Sequence, residues 1–196
     1  MNFTAQTAYH IYNRGNNKQT IFFKEDDYIL FLQKIRLELL PFVDILSYCL
    51  MPNHFHFLVF VKKTQLMDTT NQKSKTLNQA IAVVLRSYAR VMQNKRDFTG
   101  SLFQQKTKAK EIEDSRNQTI NSLSIYAHYI HQNPVRAKLT TTMSDWPFSS
   151  FKDYAGIRNG TLCNRELFYS MAAIEKQDFL EESEQMLSDG LAQNLF

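Results

Sequence analysis

An α+β fold is predicted: a split βαβ antiparallel sheet of the ferredoxin-like or RRM-like kind, an added helix bearing the candidate catalytic side chains, and a C-terminal helical tail. Three observations point to it. Along residues 7–110 the apolar period switches between 2 and about 3.6 in the order strand, helix, strand, strand, helix, strand. Pro52 and Asn53 join two strand-like runs so tightly that the runs must pair antiparallel. A further helical run, closed by Asn133-Pro134, follows the last strand.

Residues 7–13, Thr-Ala-Tyr-His-Ile-Tyr-Asn, read as the first strand, and Arg14-Gly15-Asn16-Asn17 breaks it with turn formers. Between Glu25 and Leu40 the apolar residues Tyr28, Phe31, Leu32, Ile35 and Leu39 recur at three and four, the stripe of a helix laid on a sheet, and Pro41 ends it. Val43–Leu50 and His54–Val61 follow as a hairpin. The polar stretch 62–75 reads as a mobile loop. Helical spacing resumes over Leu77–Met92 through Ile81, Val84, Leu85, Tyr88 and Val91. After a turn at Asp97–Gly100, Ser101–Ala109 reads as the last strand, with Lys106, Lys108 and Lys110 in alternation. Ile120–Gln132 is the added helix. Beyond Val135 the pattern weakens: Asp145-Trp146-Pro147-Phe148-Ser149-Ser150 offers aromatic anchors for folding back, and residues 164–187 have room for one or two short helices. The chain therefore divides into a domain over 7–138 and an extension over 139–196 that packs on it.

With 196 residues, 43% hydrophobic and 21% charged, the chain is long enough to bury a core and too apolar to be disordered. Its net charge of +4 is unevenly spread. Residues 1–110 hold 16 Lys/Arg against 7 Asp/Glu, and residues 111–196 hold 7 against 12. A basic amino-terminal part suits a polyanionic partner such as nucleic acid. Cys49 and Cys163 form neither a zinc cluster nor a disulfide framework, and Cys49 reads as a buried small hydrophobe. No apolar run approaches membrane-spanning length, and the first residues lack the basic start and apolar centre of a signal peptide, so the expected compartment is the cytoplasm.

In Met51-Pro52-Asn53-His54-Phe55-His56, residues i and i+2 of a strand point the same way, so His54 and His56 share one face. Tyr129 and Asn133 stand four apart on the added helix and can meet that pair. The plain alternative is two hydrogen-bonded core histidines. Leaving two imidazoles buried without partners would cost roughly 1–3 kcal/mol each, which favours a ligand at them. Two neutral imidazoles and an amide oxygen, with waters and a phosphate oxygen, make an octahedral Mg²⁺ or Mn²⁺ site. A cation there would polarise a scissile phosphate, and attack by Tyr129 would leave a 5′-phosphotyrosine and a free 3′-hydroxyl. Tyr12, Arg14, Lys18, Arg86, Arg90, Lys106 and Lys108 are candidates for nucleic-acid contact, although a solvated surface explains each cation singly. Tyr9 and Tyr48 could stack bases if exposed.

The chain resembles the REP-associated tyrosine transposases, within the single-tyrosine transposases that carry a His-hydrophobe-His signature. The likeness lies in Tyr9-His10-Ile11 with Asn13-Arg14-Gly15-Asn16, in Met51-Pro52-Asn53-His54-Phe55-His56, in Thr99-Gly100-Ser101-Leu102-Phe103-Gln104, in Tyr126-Ala127-His128-Tyr129-Ile130-His131-Gln132-Asn133-Pro134-Val135-Arg136-Ala137, and in Asp145-Trp146-Pro147-Phe148-Ser149-Ser150. Together these cover roughly residues 8–151, in family order. The resemblance implies a ferredoxin-like catalytic domain, Mg²⁺ or Mn²⁺ dependence, and cleavage and rejoining of single-stranded DNA near a hairpin-forming repeat. It assigns Tyr129 as nucleophile, Tyr126 as the reserve nucleophile one turn earlier, and His54, His56 and Asn133 as metal ligands. Two departures stand out: Gln105 and Lys106 occupy positions where the family often has arginine, and the 62–75 loop is longer than in the shortest members. A hairpin-binding module without catalysis and a metal-dependent phosphodiesterase using water remain open as alternatives. A monomer is favoured over a homodimer, because the C-terminal tail could cover the surface through which smaller relatives exchange helices.

Overall fold

The computed structural model describes residues 1–67, 74–112 and 122–185. Strands β1 (Thr7–Arg14), β2 (Val43–Met51), β3 (His54–Val61) and β6 (Lys108–Ile112) form one sheet in the order β2-β3-β1-β6, with each neighbouring pair antiparallel. Helices α1 (Glu25–Leu39) and α2 (Leu77–Arg96) make the two crossovers. This is the split βαβ arrangement that the order of periodicities predicts.

Alternation along the strands sorts the side chains to two faces. Tyr9, Ile11, Phe55, Phe57 and Val59 meet α1 and α2 in one core, centred on Phe31 and Tyr88. Ala8, His10, Tyr12, His54, His56 and Leu58 alternate with them and therefore face the other way. Over that second face lies α3 (Ser122–Arg136), whose Tyr126, Ala127, Tyr129 and Ile130 pack with Leu46, Cys49, Met51 and Leu58. Acidic residues open α1, and Asp27 there accepts from the Phe23 and Lys24 amides and pairs with Lys95 and Arg96 at the end of α2. Thr76 and Gln79 cap α2 reciprocally, satisfying two amides that the first turn leaves open.

Three local expectations are corrected. The stretch expected to be a loop over 62–75 instead carries a two-stranded ribbon, β4 (Gln65–Met67) with β5 (Ser74–Thr76); residues 68–73 lie outside the described residues. The last strand runs over 108–112 rather than 101–109, because residues 101–104 are drawn aside to the Gly15 turn by the Asn16 amide on Leu102 and the Gly15–Phe103 bridge. Lys106 consequently sits ahead of the strand. Finally, α3 continues two residues past Pro134 instead of stopping at Asn133. Proline removes only the bond to Ile130, and the Ala137 amide reaches Asn133 to close the final turn.

The C-terminal residues serve β2, whose outer edge would otherwise be exposed. The Leu50 amide donates to Phe148, the Ser150 amide to Tyr48 and the Asn164 amide to Ile45. A register shift between Ile45 and Ser47 marks a bulge at Leu46, and its carbonyl accepts from the Tyr154 hydroxyl at 2.5 Å. Trp146 donates to Leu50 and Phe148 stacks on Tyr28 at 3.8 Å, so the aromatic anchors do fold back. After the single turn α4 (Phe151–Tyr154), helices α5 (Arg165–Ala172) and α6 (Lys176–Glu184) occupy the region expected to hold short helices. On α6, Ser183 and Glu182 meet the two ring nitrogens of His128 at 3.0 and 3.1 Å.

Candidate active site

The sheet face beneath α3 is built in rows. Cys49, His56, Tyr12 and Lys108 lie side by side across the four strands, with Met51, His54 and Arg14 in the next row. This alignment depends on the Leu46 bulge. One extra residue reverses the facing of every later side chain, so Ile45 points to the α1–α2 core while Ser47, Cys49 and Met51 lie beneath α3.

His54 and His56 share the face, as the i, i+2 spacing predicts, with ring centroids 5.0 Å apart. Tyr129 stands over them, 5.7 Å from the His56 ring and nearly perpendicular to it. Its hydroxyl donates to Asn133 Oδ1 at 3.4 Å, and the Asn133 amide donates back to the Tyr129 carbonyl at 2.8 Å. His54 Nδ1 lies 2.6 Å from Asn53 Oδ1, and the Asn133 side chain is near enough to oppose the lowering of the His54 imidazole. The structure thus brings all four residues together.

Burial, with help from the nearby Arg14 guanidinium, lowers the His54 imidazole to about 4, and burial, with help from His10, His54 and Arg14, holds His56 well below its usual range. Both are neutral at pH 7 and keep a lone pair for a ligand. Burial raises the Tyr129 phenol to about 12, a tendency that its bond to Asn133 and the Arg136 charge oppose. The phenol is therefore protonated until something withdraws charge from it. Among the described residues no three His, Cys, Asp or Glu side chains gather as a metal cluster. Two neutral imidazoles with an amide oxygen nonetheless form a donor set suited to a divalent cation.

A cleft of about 340 Å³ opens here, lined by Tyr12, Asn13, Arg14, His54, His56, Gln104, Lys106, Lys108 and Tyr129. It presents three cationic side chains and no carboxylate. Arg14 Nε is buried and makes no hydrogen bond among the described residues, and the Lys108 ammonium lies 5.5 Å from the Tyr12 ring centre. Tyr12 is half-buried, whereas Tyr9 and Tyr48 are core residues at 2 and 3% exposure and are not available for stacking. Tyr126 packs against His10 rather than lining the cleft. Lys18 is exposed in the turn after β1, where its carbonyl accepts from Asn53. Arg86 and Arg90 are exposed on α2, across the sheet from the histidines. Arg86 shares a separate groove with Lys106; Arg90 lines neither.

Sequence reasoning left His10, Asn13 and Gln104 without a role. His10 Nε2 lies 2.9 Å from His56 Nδ1. Asn13 ties the Gln104 carbonyl and the Thr107 hydroxyl to β1, holding the segment that carries Lys106 against the cleft. The alternation that selects Tyr12 and Arg14 also selects His10, but only the strand order reveals that its neighbour is His56.

A solved structure of a REP-associated tyrosine transposase bound to a REP hairpin superimposes with a TM-score of 0.61 over 80% of this chain and 83% of that one, at 13% identity. The two chains share a fold. Two structures of a bacterial tRNA(His) guanylyltransferase-like protein, with GTP and with ATP, match at TM-scores of 0.38 and 0.40 and 9% identity, below the level at which a common fold is shown. No family model and no curated protein matches the sequence.

Proposed function

We propose that this protein is a tyrosine transposase that cleaves and rejoins single-stranded DNA at hairpin-forming repeats. The carrying observation is the convergence of His54, His56, Asn133 and the Tyr129 hydroxyl at one end of a cleft edged by Arg14, Lys106 and Lys108. The shared fold with a hairpin-bound transposase supports the choice of substrate.

In this reading His54, His56 and Asn133 would hold Mg²⁺ or Mn²⁺, which when bound supplies charge to polarise the scissile phosphate. Asn133 would exchange its present bonds for that role. Arg14, with its unused buried Nε, would take a phosphate oxygen, and Lys106 and Lys108 would follow the backbone beyond. Tyr12 would lie under a base, with the Lys108 charge beside its ring. The Tyr129 oxygen attacks phosphorus, forming the tyrosine–phosphate bond as the bond to the 3′-oxygen breaks. The phenol proton leaves, and the departing oxygen is protonated to a 3′-hydroxyl. Because the phosphodiester energy is retained, the same 3′-hydroxyl or another can reverse the step. Tyr126 is the reserve nucleophile. Residues 7–138 form the strand-transfer domain and 139–196 the extension. The protein acts as a monomer, since α6 occupies the outer face of α3.

The test is a labelled single-stranded hairpin incubated with Mn²⁺ and the wild-type protein or Tyr129→Phe. Cleavage by the wild type alone, with equal hairpin affinity for both proteins, is expected. Cleavage by both would indicate activated water, and cleavage by neither a binding module.

A further inference from the structure

We infer that His10 is a positioning residue that sets which nitrogen of His56 is available to a cation; this rests on the reading of His54 and His56 as cation ligands. Its Nε2 lies 2.9 Å from His56 Nδ1, with the two rings 19° from parallel. His10 is fully buried on β1, a strand bonded on both sides, by β3 and by β6. Tyr12 stacks on its ring at 4.7 Å, and Tyr126 packs against it at 5.3 Å. The ring therefore has little freedom to swing away.

A neutral imidazole carries one N–H and one lone pair. When His56 Nδ1 carries the proton, it donates to His10 Nε2 and leaves the lone pair on Nε2 for a cation. The reverse arrangement places the proton on His56 Nε2 and removes the ligand. With its own proton on Nδ1, His10 presents Nε2 as an acceptor, which selects the first state and holds the His56 ring at one rotation, as outer hydrogen-bond partners of metal-bound histidines do. Tyr129 abuts both rings, with centroids 6.4 Å from His10 and 5.7 Å from His56, so a turn of His56 would also move it against the phenol.

The experiment titrates Mn²⁺ by electron paramagnetic resonance into wild type, His10→Phe, His10→Gln and His56→Ala, with hairpin affinity in chelator as the control. His10→Phe keeps a planar ring without an acceptor and should weaken Mn²⁺ binding roughly 10- to 100-fold. His10→Gln restores an acceptor oxygen and should recover most of that loss. Hairpin affinity in chelator should stay unchanged in both. Imidazole ¹⁵N shifts of the wild-type protein should place the His56 proton on Nδ1, which decides the matter even if His10→Phe does not fold. Wild-type Mn²⁺ affinity in His10→Phe alongside a loss in His56→Ala, or a wild-type His56 protonated on Nε2, would overturn the role of His10 alone. Undiminished Mn²⁺ affinity in His56→Ala would instead overturn the cation reading, and this assignment with it.

Discussion

Ser150 joins the extension to both β2 and α3 through one hydroxyl. Its oxygen accepts from the Tyr48 amide at 2.9 Å and from the His131 ring at 2.8 Å, and its proton goes to the Tyr48 carbonyl at 3.2 Å. Ser150 and His131 are fully buried, and burial holds the His131 imidazole down at about 3, so the ring is a neutral donor here. Ser150→Ala would leave two buried donors without an acceptor, at roughly 1–3 kcal/mol each. The expected loss is about 2–6 kcal/mol, which for a chain of this size, at about 2–4 °C per kcal/mol, lowers Tm by roughly 4–24 °C. The Ser150 amide keeps its bond to Tyr48, so the chain path should persist. Urea denaturation with a thermal melt measures the loss. Adding His131→Phe to Ser150→Ala removes one orphaned donor and should recover part of it. A loss below about 1 kcal/mol, or no recovery in the double variant, would refute the pin between β2 and α3.

Two further outcomes follow from the buried imidazoles and the cleft charges. His54 and His131 are held down at about 4 and 3, whereas an unfolded histidine titrates near 6.5. Between those values the unfolded chain binds more protons, so in chelator the unfolding free energy should fall as pH drops from 6.5, by roughly 1.4 kcal/mol per unit for each such site. Denaturation at pH 7, 6 and 5 checks this, and a flat or rising profile contradicts it. Lys108→Ala should weaken hairpin binding and reduce the salt dependence of log K by about one phosphate contact, whereas Arg90→Ala should change neither. Equal effects of the two substitutions would argue that DNA runs over α2.

The split βαβ class was legible because strand-like and helical periods follow one another in the right order along residues 7–110, and the histidine pair because a strand places i and i+2 together. Tyr129 and Asn133 reached the same point through helical spacing and family likeness combined. What escaped depends on distant partners. Nothing local to Val43–Met51 announces a bulge at Leu46, because the bulge is accommodated by Tyr154, over a hundred residues later. The displaced last strand is set by the Gly15 turn, where a Cβ would stand 2.0 Å from the Gln19 carbonyl oxygen, so only glycine lets that turn close and capture Phe103. His10 is one polar residue on a strand until β3 lies beside it. The polar residues on the outer side of α3, His128, His131 and Gln132, gain partners from the extension, at Ser183, Ser150 and the Gln185 carbonyl.

Strand transfer by Tyr129 is most directly tested by trapping the covalent intermediate on a hairpin substrate with Mn²⁺, digesting the protein and sequencing the adduct by mass spectrometry. The account predicts a 5′-linked nucleotide on Tyr129, absent in Tyr129→Phe and in His54→Ala. Cleaved DNA with no protein-linked nucleotide, or an adduct on another residue in the wild type, would contradict it.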